Sequence, residues 1–183
     1  MIANAVVGVT NYNGSGGIVQ ATNSSFTDCN NDVTLSNYLY INSAGVPGVN
    51  LCYFYNCNFV LDGNYKGDKM GYPASYFVSL EGVEVIAFEG CNWLNRDPSI
   101  YEAGSDIGLY SVNGGFTVGG YCPGASSIVS GCPTSIPSRF CGFTNAIAMS
   151  GAGTGDYAVT SSIDNTIFDS SGIGMGAFQI FAL

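Results

Sequence analysis

The chain has 183 residues, 46% of them hydrophobic and only 9% charged, with 26 glycines and 12 tyrosines; this excludes a disordered acidic tail and points to a β-rich, turn-rich fold with a real core. Its net charge of −9 sets four Lys and Arg against thirteen Asp and Glu, with no histidine. So few cations disfavour nucleic acid and anionic membrane surfaces as partners, and no apolar run reaches the roughly 20 residues of a membrane span, so no membrane insertion is expected.

The opening "MIANAVVGVTNYNG" lacks the basic and apolar regions of a signal peptide, and the closing "GMGAFQIFAL" reads as a strand cut off mid-course. Both ends predict a single domain over 1–183 taken from a longer chain.

Between them one unit recurs: an apolar residue, two spacers, a small Cys, Ser or Thr, one spacer, and a bulky aromatic. It fits Ala21–Ser24–Phe26, Phe54–Cys57–Phe59 and Phe88–Cys91–Trp93. It fits again at Ile163–Thr166–Phe168, and more loosely at Ser138–Cys141–Phe143. After each unit come two apolar residues one apart: Val33–Leu35, Val78–Leu80, Ile107–Leu109, Ile147–Met149 and Ile173–Met175. Period two is the signature of a strand with one buried face.

The residue before the small position is Asn23, Asn56, Gly90, Phe140 or Asn165. Asn and Gly enter the left-handed region most readily, so four of the five predict a tight bend between short strands. Phe140 breaks that rule. The anchor aromatics lie 33, 34, 50 and 25 residues apart, so a bare coil of about 25 residues carries insertions at about 61–76, 94–106 and 111–137.

A unit of short strands and one-residue bends cannot bury its inward side chains alone; stacking copies does so. The expected fold is all-β, a right-handed parallel β-helix (solenoid) of about five coils with loop insertions. An immunoglobulin-like sandwich does not predict the same bend unit five times.

The stretches "GGIVQATNSSFTDCNNDV", "FYNCNFV", "VIAFEGCNWLNRDP", "IGLYSVNGGFTV" and "SRFCGFTNAIAM" resemble, in kind and order, a β-helix region of very large secreted proteins of Bacteroidota. Those proteins typically end in a type IX secretion sorting domain. The resemblance spans about Gly17 to Met175. It implies a cell-surface or extracellular location and no particular activity.

The residues that carry chemistry read mostly as construction. Structural zinc requires four Cys or His ligands, usually in close pairs, and Cys52 with Cys57 is the nearest approach. Stacked Cys57, Cys91 and Cys141 read instead as an inward ladder, since buried free Cys behaves as a small hydrophobe. A Cys nucleophile would have no His partner. Asp28, Asp32, Asp164 and Asp169 stand singly where Asp forms turns. Glu81, Glu84 and Glu89 are close in sequence, but Glu84 alternates outward. No metal or other cofactor is required, although Asp62, Asn64 and Asp68 in "LDGNYKGD" are weak calcium candidates that lack a terminal EF-hand acid. Cys122 and Cys132 flank a Pro/Gly/Ser-rich loop; a disulfide and two free thiols both remain open. Tyr38, Tyr40, Tyr65, Tyr72, Tyr101 and Tyr121 lie in loop-like segments, where they either contact a ligand or pack insertions onto the solenoid.

The expected function is a non-enzymatic, extracellular structural or adhesive module that associates end to end with itself into fibres, or meets a surface glycan or protein. The alternative is a carbohydrate-binding or polysaccharide-degrading β-helix module using loop tyrosines and acids.

Overall fold

The computed structural model describes residues 1–3, 7–12, 18–29, 31–36, 40–41, 47–48, 52–62, 76–83, 86–96, 107–112, 114–124, 132, 134–143, 145–150, 161–169 and 179–180. Among these there is no helix, and all strands but one small antiparallel pair fall into three parallel sheets. The first sheet stacks β1 (Ile2–Ala3), β4 (Ser25–Thr27), β9 (Asn58–Leu61), β12 (Asn92–Asn95), β15 (Ser138–Cys141) and β18 (Thr166–Asp169). The second stacks β2 (Val7–Tyr12), β5 (Asn31–Ser36), β10 (Tyr76–Glu81), β13 (Ile107–Val112), β16 (Asn145–Ser150) and β19 (Gln179–Ile180). The third stacks β3 (Gln20–Thr22), β8 (Tyr53–Tyr55), β11 (Ile86–Glu89), β14 (Phe116–Gly119) and β17 (Ser162–Ile163).

Along the chain the strands visit first, second and third sheet in turn, and the cycle repeats. A small antiparallel pair, β6 (Tyr40–Ile41) with β7 (Pro47–Gly48), lies in the connection from β5 to β8.

Register turns the repeat into columns. In the first sheet Phe26 pairs with Phe59, Phe59 with Trp93, Trp93 with Phe140, and Phe140 with Phe168. Their rings stack at 5.3, 5.1, 4.2 and 5.5 Å between centroids. The third sheet aligns Ala21, Phe54, Phe88, Val118 and Ile163. The second aligns Val33, Val78, Leu109 and Ile147, and beside them Leu35, Leu80, Ser111 and Met149. One apolar cluster draws on all three sheets. Edge-on rings tie first to third, as in Phe54 against Phe59 at 6.0 Å. Each such aromatic pair adds about 0.5–1.5 kcal/mol beyond the area it buries.

The bends between third and first sheet follow the local chemistry of the sequence. Asn23, Asn56, Gly90 and Asn165 all have positive φ, at 52°, 51°, 61° and 39°. The left-handed residue turns the chain within one position, so both flanking strands keep a side chain pointing into the core.

The fourth unit differs from expectation. It is Val118–Ser138–Phe140, not Ser138–Cys141–Phe143: Ser138 pairs with Thr166, Phe140 with Trp93, and Cys141 with Leu94 and Asp169. Cys141 stands at an outward position and is half-buried, whereas Phe143, after the bend at Gly142 (φ 81°), lies at the corner into the second sheet, edge-on to Phe77 at 4.9 Å. The spacing misled because residues 120–137 are inserted inside the bend itself, splitting Val118 from its small and aromatic partners. For the same reason residues 111–119, expected within an insertion, hold the end of β13, a corner and β14. Leu94 and Asn95, at the start of another expected insertion, belong to β12.

In the second sheet, the pair equivalent to Val78–Leu80 is Leu109–Ser111, not Ile107–Leu109. The Ser111 hydroxyl is buried but satisfied, donating to the Gly114 carbonyl at 3.0 Å. Ile173 and Met175 lie outside the described residues; β19 pairs Ile180 with Met149.

Candidate functional site

Outward positions of the third sheet form two columns: Gln20, Tyr53, Ala87, Thr117 and Ser162, and beside it Thr22, Tyr55, Glu89 and Gly119. Tyr53 and Tyr55, two residues apart on β8, stack at 4.2 Å. Tyr121 stacks on Tyr55 at 5.7 Å from the other side. Tyr121 reaches it because position 90 is glycine: a Cβ there would come within 2.5 Å of the Tyr121 Cβ. The three rings, all partly exposed, stand on the sheet as one stack.

Glu89 shares the column of Tyr55 and is only 6% exposed. Burial raises its carboxyl above the ordinary value. Burial first, then the charge of Glu89, raises the Tyr55 phenol. A second outward pair, Tyr76 with Tyr110 at 4.3 Å, stands on the second sheet.

Tyr121 begins the 120–137 insertion. Its N–H donates to the Ile136 carbonyl and the Ile136 N–H returns the bond, both at 2.8 Å. Asn165 Nδ2 donates to Ser135 Oγ at 2.8 Å, fixing the returning arm to the next bend. Cys122 and Cys132 form a disulfide across this loop, with Cα atoms 6.2 Å apart. Polar pairs continue along the bends: Asn56 Nδ2 donates to Asn23 Oδ1 at 2.7 Å and Asn92 Nδ2 to Asn58 Oδ1 at 3.0 Å.

Of the sequence-derived tyrosines, only Tyr121 has a described side chain. Tyr38, Tyr65, Tyr72 and Tyr101 lie outside the described residues, and of Tyr40 only the strand is described. Tyr53 and Tyr55 were missed because they belong to a strand; their alternation around inward Phe54 was the available signal. Asp62 donates its backbone N–H to Asp28 Oδ1 at 3.0 Å, while Asn64, Asp68 and Glu84 lie outside the described residues. Among the described residues no three His, Cys, Asp or Glu side chains group as a metal site, and no helix is long and apolar enough to cross a membrane.

The other sequence-derived residues occupy the columns. Ser24, Cys57, Cys91, Ser138 and Thr166 stand at equivalent positions before their aromatics, with Cys57 and Cys91 fully buried. Cys52, the other half of the closest cysteine pair, is buried and accepts the Val19 N–H at 3.2 Å.

Asp32 departs from the turn-forming role its residue type suggested. It lies within β5, is 2% exposed, and has no hydrogen-bond partner at Oδ1. It shares a row with Gly8, Phe77, Gly108 and Ala146. Burial raises its carboxyl well above the ordinary value; Cys29 counters by hydrogen bonding, and nearby Asp28 adds to the rise.

No protein-family model, curated protein or solved structure matches the chain.

Proposed function

We propose that the chain is a segment of a closed, right-handed parallel β-helix that serves an architectural or adhesive role outside the cell. The observation that carries this reading is the column Phe26–Phe59–Trp93–Phe140, in which residues from four successive coils stack along one line. Side chains invested in the axis resist unwinding, and they leave function to the outer faces. The right hand follows from the near-universal handedness of crossovers between parallel strands. The Cys122–Cys132 disulfide supports an oxidising, extracellular setting, as does the resemblance to β-helix regions of secreted Bacteroidota proteins. Terminal strands of such a stack carry unpaired ladder edges, which favours end-to-end association into fibres. Sedimentation and electron microscopy over a concentration series test this; rods of constant width and growing length are expected, and particles that stay monomeric throughout remove the fibre.

One observation favours a second reading, a carbohydrate-binding module. The Tyr53–Tyr55–Tyr121 stack offers ring faces to sugar C–H groups. A glycan-array screen with and without Ca²⁺ separates the two. Saturable binding abolished by Tyr53→Ala or Tyr121→Ala, with the fold retained, would overturn a purely architectural role.

A further inference from the structure

Cys57 and Cys91 each stand one residue before a strand of the first sheet, and those strands pair Asn58 with Asn92. The two cysteines therefore occupy one inward column on consecutive coils, both fully buried. Each thiol points back along the axis: Cys91 Sγ lies 3.1 Å from the Phe54 carbonyl, and Cys57 Sγ lies 3.7 Å from the Ala21 carbonyl. The Asn92 N–H donates to the Cys57 carbonyl at 2.8 Å, which holds the two cysteines on adjoining strands. The flanking positions of the column are Ser24 and Ser138, so no other cysteine competes for either sulfur from within it. Neighbouring parallel strands place level Cα atoms about 4.8 Å apart, inside the range a disulfide spans.

We propose that Cys57 and Cys91 are a redox-active dithiol that closes into a disulfide between consecutive coils, bolting the coil of β9 to that of β12. The two thiols are not equivalent. Hydrogen bonding to Cys91 first, outweighing burial, lowers the Cys57 thiol, whereas burial holds Cys91 well up. The attack is assigned to Cys57, the more readily ionised thiol of the two, and the resolving step to Cys91. The oxidant is an exogenous disulfide. The Cys57 thiolate attacks one of its sulfurs, its S–S bond breaks, and one thiolate leaves. Cys91 then gives up its proton and attacks Cys57 sulfur in the mixed disulfide, expelling the second thiol. Two cysteines have lost two electrons and two protons, and the oxidant has gained both. Because both sulfurs are buried, the reaction requires the bends at Asn56 and Gly90 to open, so it belongs to folding or to a loosened coil rather than to the closed stack.

The test is incubation of the folded protein with oxidised glutathione across sub-denaturing urea concentrations, followed by alkylation and peptide mapping. The expected product is a peptide linking Cys57 to Cys91, forming faster as urea rises and raising the unfolding midpoint. In Cys91→Ser, Cys57 is expected to retain glutathione, because no resolving thiol remains; Cys91→Ala serves if the serine variant does not fold. Recovery of both as alkylated thiols in the wild type at every urea concentration overturns the proposal. So does linkage of either to Cys29, Cys52 or Cys141.

Discussion

Trp93 and Phe140 stack face to face, with ring centroids 4.2 Å and planes 5° apart, although 47 residues separate them in the chain. The contact is the same in kind as that between Phe59 and Trp93, which are 34 residues apart. The Trp93 ring nitrogen has no hydrogen-bond partner in this core, so stacking and burial, rather than polar contacts, hold it there.

If Phe140 is the rung, Phe140→Ala leaves a cavity between Trp93 and Phe168 and is expected to cost about 3–5 kcal/mol in urea unfolding. Phe168, 44% exposed at its end of the column, should cost distinctly less when truncated. Equal losses at the two positions would mean that the rings do not form a graded column.

A serine hydroxyl buried at an inward cysteine position without a good partner costs about 1–3 kcal/mol. The structure lowers that expectation for Cys91→Ser, because the Phe54 carbonyl already sits 3.1 Å from the sulfur. The next coil shows the solution, with Ser138 Oγ donating to the Gly119 carbonyl at 2.6 Å. About 1 kcal/mol is expected from denaturant midpoints, with no metal released on unfolding; zinc in the purified protein would restore the metal reading.

Gly90 answers to two constraints, a φ of 61° and the ring of Tyr121 packed over it. Asparagine meets the first, as Asn23, Asn56 and Asn165 demonstrate, but not the second. Gly90→Asn should therefore destabilise by about 1–3 kcal/mol in the wild type, by overpacking. In a Tyr121→Gly background it should cost much less, and a double-mutant cycle reads the difference. Additive losses would show that Tyr121 does not set the requirement.

Asp32 gives the protein a pH dependence of unusual direction. Its carboxyl is raised in the fold, so the contribution is fully present below the ordinary carboxyl range and is lost as pH rises through the folded value. The stability difference between wild type and Asp32→Asn should move in favour of the variant from acid to neutral pH. Urea unfolding at a series of pH values checks this; a difference that is flat with pH would mean that folding does not raise the Asp32 carboxyl.

Reducing the Cys122–Cys132 disulfide frees a short loop and should cost up to about 2–3 kcal/mol through the unfolded state. Mass spectrometry establishes the reduction and thermal melting its consequence. Retained backbone pairing of Tyr121 with Ile136, read by amide exchange, would show that the loop base holds without the bond.

What the sequence by itself determined is what neighbours along the chain decide. Alternation around Phe54 and Phe88, and the left-handed bends at Asn23, Asn56, Gly90 and Asn165, are properties of a few consecutive residues, and they were legible because Asn and Gly are the residues that tolerate positive φ. Which residues stack across an insertion is not local. Ser138, Cys141 and Phe143 satisfy the spacing, whereas Val118, Ser138 and Phe140 do not, because residues 120–137 intervene; only burial against Trp93 and Phe168 selects the second set. The outward tyrosine stack has the same origin, because Tyr55 and Tyr121 lie 66 residues apart and meet only where Gly90 leaves room between coils. Asp32 was unreadable for a related reason: its residue type argued for a solvated turn, and its place in the row between Gly8 and Phe77 put a carboxyl out of water's reach.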